Sequence, residues 1–142
     1  MQLEVGVAHQ QAERVGDPPG PVGRDLAQIG RMQAFLEKRG RRGFDRLFTE
    51  GEQAYCDSRG ARWTHYAGRF AVKEAVMKVL GTGWRKGVRW IDIEVVRPPG
   101  QAPTCVLHGE SARIAERKGI RTIHVTITHD AGLASAVAIA ED

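Results

Sequence analysis

RFAVKEAVMKVLGTG, residues 69–83, reads as the second half of a helix followed by glycine punctuation. On a 100° wheel Val72, Ala75, Val76, Val79 and Leu80 share one arc, while Glu74 and Lys78 fall opposite it, one turn apart. Gly81 and Gly83 supply the stop, because glycine takes the left-handed conformation that ends a helix at no steric cost. The charged pair has two readings. It is either a solvated i,i+4 pair, contributing about 0.2–0.5 kcal/mol to the helix, or a carboxylate and a cation turned toward a site. Spacing alone leaves both open.

Working outward, WIDIEVV (90–96) alternates with the strand period, RPPGQAP makes a turn, and TCVLHG (104–109) returns as a partner strand. ESARIAERK (110–118) reads as a short helix ending at Gly119. RTIHVTIT (121–128) and LASAVAIA (133–140) read as two more strands, joined through His129-Asp130-Ala131-Gly132. His129 therefore sits at a strand end. Upstream, Ile29, Met32, Phe35 and Leu36 recur at helical spacing, which predicts a helix over roughly 29–39 with Gly40 as its stop. Thr49 with Glu52 is a capping box and starts another helix.

The first 24 residues contain Asp-Pro-Pro-Gly-Pro, which excludes a continuous helix. Ahead of it LEVGVA (3–8) is a short alternating piece that can form a strand. The expected domain is 23–142, with 1–22 an irregular arm or divergent first strand. Three helices, a hairpin, a helix and a hairpin give an α+β fold with helices packed on an antiparallel sheet.

The chain has 142 residues, 42% hydrophobic and 27% charged, which suits one globular domain and leaves no room for a separate substrate domain. A formal net charge of +4 is compatible with nucleic acid, a phosphorylated ligand or an acidic protein partner. Cys56 and Cys105 are far apart and outside any CxxC spacing, so neither a disulfide framework nor a zinc site is expected. No apolar run is long enough to span a bilayer and no signal peptide is apparent, so a cytoplasmic protein without membrane contact is expected. Neither GxxxxGK[ST] nor GxGxxG is present.

GRDLAQIGRM (23–32), LFTEGE (47–52), RFAVKEAVMKVLGTG (69–83) and ITH (127–129) occur in this order. Together they resemble the holo-[acyl-carrier-protein] synthase family, the small bacterial 4′-phosphopantetheinyl transferases, from about Gly23 to Glu141. The resemblance implies transfer of the 4′-phosphopantetheine group from coenzyme A to a serine of apo-acyl carrier protein, in support of fatty acid biosynthesis. It implies a homotrimer whose active sites lie between subunits. It also implies Mg²⁺ held by Asp25 and Glu74, with Lys78 stabilising or protonating the leaving phosphate. Arg69, Lys73 and His129 become cations for the coenzyme, and His129 a candidate base. These residue types suit the chemistry, since Mg²⁺ uses one or two carboxylates together with phosphate oxygens and waters. Gln28 stands where the family carries glutamate, which would remove a carboxylate near the metal. A catalytically impaired relative that still binds acidic carriers is the alternative function. Val79 replaces a usual alanine.

Arg31, Lys38, Arg39, Arg41, Arg42 and Arg46 form a basic strip on or after the first helix. A solvated helix face would look the same. The strip lacks the interleaved aromatics that single-stranded nucleic acid would need, which favours an acidic carrier protein as partner over nucleic acid.

Overall fold

The computed structural model describes residues 21–83 and 87–142. The expectations placed on residues 1–20, the irregular arm and the LEVGVA strand, lie outside the described residues.

The fold is built around helix α4, Arg62–Leu80, whose C-terminus closes as the sequence requires. Gly81 adopts φ +74°, its N–H donates to Lys78 O, and the Thr82 N–H donates to Met77 O at 3.1 Å. Those two bonds satisfy carbonyls that a helix end leaves open. Before it come strand β1 (Val22–Gln28), then α1 (Ile29–Arg39), α2 (Arg41–Leu47) and α3 (Glu50–Asp57). After it come a 3₁₀ turn at Trp90–Asp92, β2 (Ile93–Val96), β3 (Thr104–Leu107), α5 (Gly109–Arg117), β4 (Thr122–Asp130) and β5 (Leu133–Glu141).

Helix α1 has the expected bounds, with Gly40 as its stop. The capping box is formed: Glu52 N–H donates to Thr49 Oγ1 at 3.1 Å, and Thr49 N–H donates to Glu52 Oε1 at 2.9 Å. Both expected hairpins are present, β2 against β3 and β4 against β5. The second closes more tightly than expected. Only Ala131 and Gly132 lie outside the strands, both with positive φ, as a two-residue turn matching the strand twist demands.

Three elements escaped the sequence reading. Trp90–Asp92, read as the start of a strand, is a 3₁₀ turn, and β2 begins only at Ile93. A strand does precede α1, at Val22–Gln28, and pairs with β5 along its length, from Val22 opposite Ile139 to Gln28 opposite Leu133. The pairing partner lies at the far end of the chain, so local residue preference was a poor guide. Helix α2 was missed because Gly43 interrupts its pattern. A Cβ there would come within 2.6 Å of Arg39 Cβ, so glycine is what lets α2 pack on α1.

The three-stranded sheet has the order β1-β5-β4 and lies against α4. Ala134, Ala136, Ala138 and Ala140 alternate along the buried face of β5, and these small side chains let the helix come close. A Cβ on Gly23 would run into the Ala75 carbonyl oxygen, and one on Gly68 would lie 2.9 Å from Ile127 Cγ2. Helix α1, α3 and β2 pack on the other sides of α4. As a result α4 is buried almost all round from Tyr66 to Leu80, Glu74 and Lys73 included. Of the two readings that spacing left open for Glu74 and Lys78, the solvated face is the one the structure excludes, because β1 covers that side.

Candidate active site

Gly23 brings β1 against the second half of α4, and Asp25, two residues on, points the same way. Asp25 is 1% exposed and Glu74 5%. Lys78 Nζ lies 3.5 Å from Asp25 Oδ1 and donates to the Arg24 carbonyl oxygen at 2.6 Å. The structure therefore brings Asp25, Glu74 and Lys78 together at the contact between β1 and α4.

The electrostatics of this trio are unbalanced. Burial, then the hydrogen bond and charge of neighbouring Asp25, push the Glu74 carboxyl up to about 10, with Lys78 opposing. Glu74 Oε1 is buried without a hydrogen-bond partner. Two adjacent buried carboxyls cannot both ionise cheaply unless a cation joins them. The donors are hard oxygens, and their number matches the one or two carboxylates with which Mg²⁺ is held alongside phosphates and waters. Among the described residues no three His, Cys, Asp or Glu side chains converge as a metal cage. Asp25 and Glu74 fit a cation that completes its coordination with substrate and water.

Gln28 is not part of this arrangement. In a strand an offset of three residues reverses the face, and Gln28 is exposed at the end of β1. Within the protomer its replacement of glutamate takes nothing from the buried pair.

Lys73, expected as a cation for the coenzyme, has another place. It is wholly buried and donates to Glu52 Oε1 at 2.8 Å, Ile93 O at 2.6 Å and Trp90 O at 3.1 Å. An ammonium has three donors, and these bonds use all of them. Glu52 is satisfied in turn by Thr49 N–H and by Val95 N–H at 2.9 Å. Burial pulls the Lys73 ammonium down from its usual range, against the pull of Glu52. The pair ties α3, α4 and β2 together beside the site. The capping box had announced Glu52, but only as a helix start.

Arg69 and His129 belong to a second group. At 100° per residue, Gly68 and Ala75 mark the stripe of α4 that meets the sheet. His65 and Arg69 fall on one flank of it, Glu74 and Lys78 on the other. His129 pairs with Ala134, and Asp25 with Ala136, so β5 stands between them. Two strand spacings amount to roughly 10 Å. The Arg69 guanidinium is buried 4.1 Å from the Tyr55 ring centre, and its Nε has no hydrogen-bond partner. His129 is exposed at the end of β4. Tyr55 and His65 pack beside Arg69 and were not singled out in the sequence, although the i,i+4 spacing of His65 and Arg69 was a usable signal.

The basic strip is where the sequence put it. Arg31, Lys38, Arg39, Arg41, Arg42 and Arg46 are all exposed on α1 and α2. One detail differs, since Phe35 stands among these cations, 37% exposed, with Arg39 5.5 Å from its ring centre. Arg41 is engaged by Gln53 at 2.7 Å.

A family model described as "4'-phosphopantetheinyl transferase superfamily" matches residues 21–135. The chain is 46% identical over 121 residues to the holo-[acyl-carrier-protein] synthase of Solibacter usitatus (strain Ellin6076), covering 85% of this chain and 97% of that protein. Its fold is similar to the crystal structure of that synthase from Neisseria meningitidis, with a TM-score of 0.77 and 25% identity over 85% of this chain and 97% of that one. It is also similar to the Helicobacter pylori synthase in complex with coenzyme A, with a TM-score of 0.74 and 28% identity over 84% of this chain and 99% of that one.

Proposed function

The chain belongs to the 4′-phosphopantetheinyl transferase superfamily, and from that premise we propose that it converts an apo-acyl carrier protein to its holo form. The carrier's serine hydroxyl attacks the phosphorus that bears pantetheine, the phosphoanhydride of coenzyme A breaks, and adenosine 3′,5′-bisphosphate leaves. The observation that carries this reading is the buried pair Asp25–Glu74 with Lys78 beside it.

Asp25 and Glu74 are the proposed Mg²⁺ ligands. When bound, the metal supplies neutralising charge to the phosphates of the coenzyme. Lys78 holds a positive charge beside the same carboxyls, where it stabilises or protonates the phosphate that leaves. Exclusion of water from the β1–α4 contact strengthens each of these interactions. Arg69 and His129 are the proposed cations for the coenzyme's other phosphate. His129 as base is the weaker part of the assignment, given its separation from Asp25. Arg31, Lys38, Arg39 and Arg46 are the proposed docking surface for the acidic carrier.

The catalytic domain is taken as residues 23–142 and the assembly as a homotrimer. The outer face of the sheet supports the latter: Val22, Ile139, Leu26 and Val137 are only partly covered in the single chain. The carboxyl pair and the Arg69 group lie on opposite flanks of α4, so one coenzyme touching both would be held by residues of two chains. Among the described residues no helix is long and apolar enough to cross a membrane. A cytoplasmic location and a role in fatty acid synthesis belong to the same proposal.

The test is a mass spectrum of apo-acyl carrier protein after incubation with this protein, coenzyme A and Mg²⁺. Gain of the phosphopantetheine mass on the carrier serine is expected. An unmodified carrier, under conditions where coenzyme A binds, would return the chain to a binding role.

A further inference from the structure

Tyr55, near the end of α3, is surrounded by ionisable groups drawn from separate parts of the chain. The guanidinium carbons of Arg59 and Arg69 lie 4.6 and 4.1 Å from its ring centre, and the His65 ring meets it edge-on at 5.7 Å and 79°. His129 from β4 and Arg97 from the loop after β2 also act on His65 electrostatically. Among the described residues neither Arg59 nor Arg69 has a carboxylate partner, and Arg69 Nε is buried with no hydrogen bond at all. Other cations differ in this respect. Those lining a cavity of about 640 Å³ near α2 and the 3₁₀ turn are each engaged, Arg41 by Gln53, Arg89 by Asp92 and His108 by Glu94.

Gathering like charges around one ring is unfavourable unless an anion joins them, and a guanidinium held flat on an aromatic keeps its edge free for a phosphate. The group stands on the flank of α4 away from Asp25 and Glu74, and His65 is nine residues from Glu74, roughly 14 Å along the helix axis. Coenzyme A carries a phosphate monoester on its ribose as well as its pyrophosphate. With the pyrophosphate at the carboxyl pair, this group is left the monoester.

We propose that His65 is a further binding residue for that phosphate monoester, donating a charge-assisted hydrogen bond to it beside Arg59, Arg69 and His129. The inference rests on the transferase reading. Arg69 and His129 follow from the family pattern, whereas His65, Arg59 and Tyr55 follow from the packing alone. In the free protein, burial and then the charges of Arg69, Arg59, His129 and Arg97 hold His65 below its usual range. Binding of an anion reverses the electrostatic part, so the ligand brings a proton with it. Affinity for the monoester thus rises as pH falls through the range where histidine titrates.

The experiment measures binding of coenzyme A and of dephospho-coenzyme A, which lacks the monoester, from pH 8 to pH 5.5. It compares the unaltered protein with His65→Phe, which keeps an edge-on ring against Tyr55, and with His65→Gln. The second ionisation of the phosphate itself, near pH 6, is common to all three proteins and cancels in the comparison. Toward pH 5.5 coenzyme A should gain about tenfold on the unaltered protein relative to both variants. Dephospho-coenzyme A should gain nothing. Identical pH profiles in the unaltered protein and the two variants, or the same gain with dephospho-coenzyme A, would overturn the role of His65 and leave the transferase reading standing. Absence of coenzyme A binding by the unaltered protein would overturn both.

Discussion

Glu74→Gln keeps the shape of the side chain and removes its charge, so it separates what the residue does for stability from what it does for the reaction. Burial beside Asp25 pushes the Glu74 carboxyl up to about 10, against 4.5 for the free group. A carboxyl whose folded value is raised lowers stability wherever the unfolded chain would ionise it, and the loss grows as pH climbs from 4.5 toward 10. At pH 7 the gap from 4.5 is 2.5 units, which converts to a cost of up to about 3 kcal/mol. Glutamine has no such cost. Glu74→Gln should therefore raise the thermal midpoint in EDTA at pH 7, and the advantage should vanish near pH 4. Added Mg²⁺ with coenzyme A should stabilise the unaltered protein more than the variant, and carrier modification by the variant should fall below detection. Circular dichroism melts over pH and the mass-spectral transfer assay read both effects. A variant that is less stable at pH 7 in EDTA, or one that still modifies the carrier at the original rate, would refute the assignment of Glu74.

Lys73→Met breaks the buried pair and leaves Glu52 uncompensated, for an expected loss of about 3–5 kcal/mol in urea unfolding; unchanged stability with a raised KM for coenzyme A would restore Lys73 as a ligand contact. Lys78→Ala should lower kcat by about 10²-fold, seen as slower release of adenosine 3′,5′-bisphosphate in a single turnover, and a rate equal to the original would return Lys78 to a structural ion pair. Reversing Arg31 and Arg39 to Glu should raise the KM for the carrier and spare coenzyme A affinity, with the effect shrinking as salt rises. A carrier KM that does not move at low salt removes the strip from the docking surface.

Where the sequence spoke clearly, the information was local. Gly81 ends α4, Thr49 and Glu52 cap α3, and the periodicity of Ile29 to Leu36 lays out α1 because each feature is settled within a few residues of itself. The three residues Asp25, Glu74 and Lys78 were legible through their pattern, and the packing of β1 on α4 gives that pattern its geometry. What stayed hidden depends on distant chain. The strand at Val22 exists because β5 pairs with it, and Lys73 is buried because β2 covers it. A wheel separates apolar from polar positions but is blind to a second layer, so it could not tell a solvated side of α4 from the enclosed one that β1 makes. The charges acting on His65 beside Tyr55 come from α4, β4 and the loops after α3 and β2, and no single window of sequence contains them.

The alanines of β5 and the glycines at 23 and 68 have a consequence for how this chain tolerates change. The separation between sheet and helix is set by the smallest side chains available, and Asp25 and Glu74 project from its opposite walls. Nothing in that gap can shrink by much, and anything that grows acts as a wedge. A methyl group added at Gly23 would force the walls apart beside the carboxyls while altering no charge, donor or acceptor. Mutational sensitivity in this protein should accordingly follow thickness as closely as chemistry. Residues that never touch a substrate would hold the two carboxyls in register, much as a shim fixes the spacing of a hinge.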